Sequence, residues 1–187
     1  MKLCTIGELP IDKVDFVVVD LETTGFSSDN DSVVEVAGVK IKNGKISEKF
    51  QSLIYAEYIP FYATRVHGID NDMVRDAPEL ELVRGKFCKF TQNCVFVGHN
   101  IVAFDKPFLC ENFNIDTNTL FVDTLKISRQ IFSSCRGHKL PLVAERLGIK
   151  NNGYHRALND AMVTAKVFLK MVDLHPQKFR FLKDVVA

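Results

Sequence analysis

The sequence has no excess of charge of either sign. Its 187 residues hold 24 lysines and arginines against 23 aspartates and glutamates, a formal net charge of +1 with a pI near 7.6. That excludes the strongly basic mode of gripping a polyanion, so a nucleic acid would have to bind locally and with help from metal. Long apolar runs are missing as well. The start, Met1-Lys2-Leu3-Cys4, lacks the apolar stretch of about 7 to 15 residues of a signal peptide, and nothing approaches the roughly 18 apolar residues of a membrane span. A soluble, cytoplasmic protein is the expectation. The five cysteines (Cys4, Cys88, Cys94, Cys110, Cys135) form no C-x-x-C pair and are odd in number. With Cys88 and Cys94 among apolar neighbours such as Phe87 and Phe96, they read as reduced, mostly buried thiols. Repeats, low-complexity tracts and linkers are absent too. At 47% hydrophobic and 25% charged content, the chain reads as a single domain over residues 1–187.

What is present begins with a strand. Val14-Asp15-Phe16-Val17-Val18-Val19 is rich in β-branched and aromatic residues and reads as buried. It closes on Asp20 and Glu22. Residues i and i+2 of an extended segment point the same way, so the two carboxylates share a face about 6 to 7 Å apart and can hold a hard cation. A turn-rich stretch over residues 25–31 follows, then a less cleanly alternating segment, residues 32–41. Asn43-Gly44 marks a hairpin turn, and residues 45–54 form the returning strand of an antiparallel meander. Residues 78–91 place Leu80, Val83, Phe87 and Phe90 on one helical stripe. Short strands are expected at 94–97 and 120–122. Between them, residues 103–113 suit a helix with Phe104, Phe108 and Leu109 inward and Pro107 in its first turn. From Thr124 the pattern is helical, ending in a clear stripe over residues 158–172 with Asp160 in the first turn. Residues 176–186 read as a short terminal helix outside the core of about 14–172. The whole is a mixed α/β sheet of five strands, three antiparallel and then two parallel, flanked by helices.

Taken singly, several of these residues have plain readings. Asp160 alone would be an N-cap or a partner of the helix dipole, and His155 alone a surface residue. Their combination reads differently. Asp20-Leu21-Glu22-Thr23-Thr24-Gly25, His67-Gly68-Ile69, Gly98-His99-Asn100 with Phe104-Asp105, and His155-Arg156-Ala157-Leu158-Asn159-Asp160 stand in order over residues 16–170. Together they resemble the motifs of the DEDD exonuclease superfamily, and within it the proofreading group typified by the epsilon subunit of bacterial DNA polymerase III. The superfamily splits at its last motif, which has either tyrosine four residues or histidine five residues before the final aspartate. Arg156 holds the first of these positions, His155 the second, and Tyr154 lies six residues upstream. The chain therefore resembles the histidine branch.

The resemblance implies a ribonuclease H-like fold. It also implies a metal-dependent 3′→5′ exonuclease that releases nucleoside 5′-monophosphates from single-stranded or frayed DNA ends in proofreading or repair, with a DNA polymerase catalytic subunit as a possible partner. Two Mg²⁺ or Mn²⁺ ions about 3.5 to 4 Å apart would stabilise the attacking and leaving oxygens. By the family pattern Asp20 bridges them, Glu22 and Asp160 complete the first, Asp105 serves the second, and His155 accepts a proton from the attacking water. Carboxylates suit these hard ions, and an imidazole with an ordinary pKa of about 6.5 suits proton transfer near neutrality. The same pattern sets Leu21, Thr23, Thr24 and Phe26 beside the terminal nucleotide and has His67, His99 and Asn100 line the groove. Phe26 either stacks on a base or packs the strand-turn corner. Lys126, Arg129, Arg136, His138 and Lys139 either meet phosphates or form a solvated helix face. Related histidine-branch enzymes digest RNA; the oligoribonuclease group usually carries methionine where Thr23 stands. A scaffold that only grips nucleic acid ends should have lost ligands, and all five residues are here.

Overall fold

The β-branched, apolar run of the first strand becomes the middle of a sheet. In the computed structural model, which describes residues 6–150, 153 and 155–186, β1 (Phe16–Thr23) pairs antiparallel with β2 (Val33–Lys42), and β2 with β3 (Lys45–Leu53). Asn43 and Gly44, with φ of 50° and 69°, supply the left-handed backbone that a tight hairpin turn requires. β4 (Val95–Gly98) lies parallel to β1 on its other side, and β5 (Phe121–Asp123) parallel to β4, giving the order β3-β2-β1-β4-β5. The mixed five-stranded architecture matches the sequence expectation.

β1 is covered on both faces, and its side chains divide by parity. Phe16 and Val18, with Ala37, Val39 and Ile41 of β2, pack under α7 (Ala157–Leu174). Val17, Val19 and Leu21 pack with Val83 and Phe87 of α3 (Leu80–Thr91) and with Phe108, Leu109 and Phe113 of α4 (Asp105–Phe113). Ala157, Ala161 and Ala165 recur every four residues along α7 and are fully buried. Their small side chains form the stripe on which the helix lies close to the strands. Phe168 caps that contact, its ring edge-on to Phe16 at 5.0 Å between centroids.

Two short helices, α1 (Phe61–His67) and α2 (Asn71–Val74), precede α3 and were not foreseen. The remaining helices are α5 (Thr124–Ile131) and α6 (Leu140–Arg146). The terminal helix expected over residues 176–186 is not formed; only a 3₁₀ turn at Leu182–Asp184 is helical. Phe179, Leu182 and Val185, spaced by three, are buried as a helix stripe would be. Their backbone is spent otherwise, because Ile11 donates to the Arg180 carbonyl (3.0 Å), Leu182 donates to the Leu9 carbonyl (2.9 Å), and Val186 bridges to Val122 of β5. Closing the sheet edge takes the groups a helix would have used. The thiols are free but less buried than expected: Cys88, Cys94 and Cys110 are half-buried and Cys135 is exposed, while Cys4 lies outside the described residues. No described helix is long and apolar enough to cross a membrane.

Because Phe168 seats α7 on β1, Phe168→Ala should cost about 3 to 5 kcal/mol in urea denaturation. A loss under about 1 kcal/mol would show that α7 is held by something else.

Candidate active site

The four carboxylates arrive from three elements. Asp20 and Glu22 stand on the α7 side of β1, in register with Ala37 and Glu35 of β2. Asp160 is in the first turn of α7 and Asp105 is the first residue of α4. Asp105 and Asp160 are buried, Glu22 is 9% exposed, and Asp20 is partly buried. Carboxylate oxygens of Asp20, Glu22 and Asp160 lie within 4.8 Å of one another. Asp105 falls outside that triad yet is close enough to perturb Asp20. The cluster sits at the carboxyl ends of β1, β4 and β5, where the chain leaves to opposite sides of β1, the usual place for a site in an open sheet.

The electrostatics are those of crowded, desolvated like charges. Burial, then Asp105, Glu22 and Asp160, hold the Asp20 carboxyl well above its ordinary range. Burial, then Asp160 and Glu35, push Glu22 up to about 8, with Arg156 opposing. Burial raises Asp105 to about 7 against the amides of Asp105 itself and of Leu21, and it also raises Asp160 against the amide of His155. Among the described residues, no lysine or arginine forms an ion pair with any of the four. A hard divalent cation fits such a set: oxygen donors only, converging, uncompensated.

His155 stands at the rim, exposed, with a left-handed backbone (φ 66°) and its amide donating to Asp160 Oδ2 at 2.6 Å. A non-glycine residue in that region persists only where its surroundings hold it there. Glu35, which no motif singled out, is fully buried beside the triad and paired with Arg156 at 2.7 Å. A charge inside the apolar run Val33-Val34-Glu35-Val36-Ala37 was the available signal.

A cleft of ≈ 190 Å³ opens beside Glu22, lined by Leu21, Thr23, Phe26, Tyr62, Val66, His67 and Phe104 among others. It gathers four of the expected nucleotide-contacting residues, Leu21, Thr23, Phe26 and His67. The Phe26 ring is 88% exposed and touches only the edge of the cleft, 6.1 Å from the Phe104 ring. Its loop is clasped by Asp31, which accepts from the Ser27 amide (2.9 Å) and the Thr24 hydroxyl (3.2 Å). Thr23 donates to the Gly25 carbonyl at 2.6 Å, so both threonine hydroxyls donate within the turn. A Cβ at Gly25 would lie 2.4 Å from both Asp31 carboxylate oxygens, so any larger residue there must displace the Asp31 side chain from this turn. Buried His67 accepts from the Ile69 amide through Nδ1 (3.0 Å), which puts its proton on Nε2; that atom makes no well-formed hydrogen bond among the described residues, the Thr23 backbone being near enough only for a weak one. Burial holds its pKa low.

His99 and Asn100 do not line this cleft. Burial also lowers the pKa of His99; its Nε2 donates to the His138 carbonyl (2.7 Å), and its Nδ1 lies 2.9 Å from the Thr124 hydroxyl, which also has the Gly98 carbonyl at 3.1 Å. Asn100 is exposed with φ 68°, its backbone N–H donating to Asp123 Oδ1 at 2.9 Å. Lys126, Arg129, Arg136 and Lys139 are exposed, and His138 is bonded to Ser128 at 3.1 Å.

Carboxylates converging at the carboxyl ends of a mixed sheet in this strand order define a ribonuclease H-like nuclease. The chain belongs to the exonuclease family: the family model described as Exonuclease matches residues 17–168. It is 38% identical over 163 residues to a PolC-type DNA polymerase III of Caldanaerobacter subterraneus subsp. tengcongensis, covering 85% of this chain but 12% of that protein. It is 35% identical over 162 residues to DNA polymerase III subunit epsilon of Aquifex aeolicus, covering 84% and 80%. Among solved structures, exonuclease X in complex with 5′ overhanging duplex DNA superposes at a TM-score of 0.72 with 23% identity, covering 86% of this chain and 93% of that one. E. coli exonuclease I with a dT13 oligonucleotide superposes at 0.78 with 15% identity, covering 88% and 42%. At these identities the superpositions speak for the fold.

Two outcomes follow. A carboxyl whose pKa is raised on folding binds its proton more tightly in the folded state, so its contribution is complete below the unfolded pKa and is lost as pH rises through the folded one. For Glu22 (4.5 to about 8) and Asp105 (3.8 to about 7), the metal-free protein should lose stability between pH 5.5 and 8.5. The slope is at most about 1.4 kcal/mol per pH unit per group, and added Mn²⁺ should reverse the loss at pH 8.5. Thermal melts in chelator that rise or stay flat across that window would contradict the crowding. Separately, Gly25→Ala should destabilise by about 1 to 3 kcal/mol by displacing Asp31. In an Asp31→Ala background the same change should add almost nothing, which a double-mutant cycle of denaturation free energies reads directly.

Proposed function

We propose that the protein is a metal-dependent 3′→5′ exonuclease of the histidine branch, releasing nucleoside 5′-monophosphates from single-stranded or frayed DNA ends and serving a DNA polymerase in proofreading or repair. The observation that carries this reading is the convergence of Asp20, Glu22 and Asp160 oxygens within 4.8 Å, with Asp105 alongside and His155 at the rim. Its similarity to an epsilon subunit over 80% of that subunit's length supports the DNA and polymerase assignments.

Asp20, Glu22 and Asp160 would hold one Mg²⁺ or Mn²⁺, and Asp20 with Asp105 a second. When bound, such ions neutralise charge on the attacking and leaving oxygens of the phosphodiester. The chain supplies the remainder. His155, exposed and carried on a fixed backbone, takes the proton of the attacking water. The cleft under Phe26 receives the terminal nucleoside against Leu21, Val66 and Phe104, and His67 Nε2 offers it a donor. Thr23 and Thr24, with hydroxyls tied into the turn and the Thr24 amide bonded to the Ser32 carbonyl, keep the backbone beside Glu22 rigid. His99 serves by shaping the β4 end, its ring bonded to Thr124 and His138, while Asn100, its backbone amide held by Asp123, keeps an exposed side chain at that end for the substrate strand.

The test uses 5′-labelled single-stranded DNA, matched and mismatched duplexes and RNA, with Mg²⁺ or Mn²⁺. Stepwise shortening from the 3′ end should be fastest on single-stranded and mismatched DNA, with Asp20→Ala inactive and His155→Ala slower by about 10²- to 10⁴-fold. Unchanged activity in Asp20→Ala would overturn the chemistry. Faster digestion of RNA than of DNA would overturn the proofreading role, and binding without shortening would make the chain an end-gripping subunit.

A further inference from the structure

We propose that Glu35 is a positioning residue of the nuclease reaction, acting through Arg156 and the Ala157 amide to fix the placement of His155 and Asp160; this rests on the proposed function above. Glu35 has no surface exposure and stands opposite Glu22 on the same sheet face, so it has the location of a further metal ligand. Its bonding excludes that use. Oε1 accepts from Gln51 Nε2 at 2.8 Å and Arg156 Nη2 at 2.7 Å, and Oε2 accepts from Arg156 Nε at 3.2 Å and the Ala157 amide at 3.0 Å. Both oxygens are committed to two donors each. Asp20 and Glu22, by contrast, are left to convergence and repulsion.

The donors are what give Glu35 its role. Arg156 caps α7 in extended conformation (φ −139°) and Ala157 is the first residue of that helix. His155, directly before them, is left-handed, and its amide is taken by Asp160. The chain therefore makes a sharp change of direction at the proton acceptor. Asp160 ties one side of it, and Glu35 ties the other by a forked guanidinium bond and a helix amide. A forked Arg–carboxylate pair fixes direction as well as distance. The first turn of α7, with Asp160 in it, is oriented by the same carboxylate, as an anion at a helix start. Glu35 touches no reacting atom in this arrangement.

Glu35→Gln preserves shape but replaces one accepting oxygen with an amide donor, which cannot satisfy the set of N–H groups around it. The expected result is kcat lowered about 10- to 100-fold with KM for a single-stranded oligonucleotide unchanged, and Mn²⁺ still bound, unlike in Asp20→Ala. Arg156→Gln, which strands the Glu35 charge beside Glu22, should be impaired more than the Glu35→Gln/Arg156→Gln double variant, because removing both partners leaves no unpaired charge. Hydrogen exchange of the backbone amides gives a readout independent of activity: in metal-free, substrate-free Glu35→Gln, the Ala157 and His155 amides should lose protection while β1 and β2 keep theirs. A kcat within twofold of wild type, an effect confined to KM, additive behaviour of the two substitutions, or unchanged exchange at Ala157 and His155 would each overturn the proposal. A wild-type protein without nuclease activity, but with the exchange change, would overturn the functional reading and leave the positioning contact standing.

Discussion

Everything near the site depends on one constraint: carboxylates of like charge must be held together in a place with little water. Asp20, Glu22 and Asp160 converge within 4.8 Å, and Asp105 adds a fourth charge at the edge. Left to themselves they would separate or take up protons: burial raises the pKa of all four, and the neighbouring carboxylates raise those of Asp20 and Glu22 further. The fold resists by making separation impossible. β1 is the central strand, packed on both faces, so its two carboxylates cannot swing away without opening the sheet. Asp105 and Asp160 come in on helix N-termini, whose positive ends partly offset the charge delivered.

The same constraint accounts for the packing of α7. A helix bringing Asp160 to the strand ends has to approach closely, and Ala157, Ala161 and Ala165 provide the flat, fully buried stripe that allows it. Phe168 and Met171, further along, restore the bulk that anchors the helix where no chemistry needs room. Glu35 belongs to the same solution. It adds a charge to a crowded site, which would be a cost without purpose if Arg156, Gln51 and Ala157 did not convert it into a fixed tether for the start of α7.

How much of this could be read from sequence follows from what each element faces. β1, α3, α4 and α7 bury one clear side or two, so their apolar spacing announced them, and the five site residues stood at motif spacings that brought four of them together and the fifth to the rim. α1 was illegible because its stripe is reversed: Phe61, Tyr62 and Val66 are exposed, while only Ala63 and His67 are buried. The 176–186 segment misleads for the opposite reason. Phe179, Leu182 and Val185 have helical spacing, but spacing reports which side chains are buried and not which backbone groups are already engaged, and here residues 9–11 and β5 engage them. His99 shared a motif with Asp105, but spacing could not say that its ring nitrogens would be engaged by Thr124 and the His138 carbonyl.

The net charge of +1 acquires its meaning at this point. A chain without a basic surface excess, presenting a pocket of carboxylates, repels the polyanion it is proposed to cut. Long-range attraction cannot deliver a phosphate to such a place, so admission has to be local. The cleft beside Glu22 offers apolar walls for a nucleoside, a buried histidine donor, and at its mouth the 88% exposed Phe26 ring, all of which recognise the neutral parts of a nucleotide. Only a strand end can insert a base there while its scissile phosphate meets the carboxylates, and only with divalent charge present is that meeting favourable. Within the proposed function, preference for ends and dependence on metal are thus two consequences of one distribution of charge.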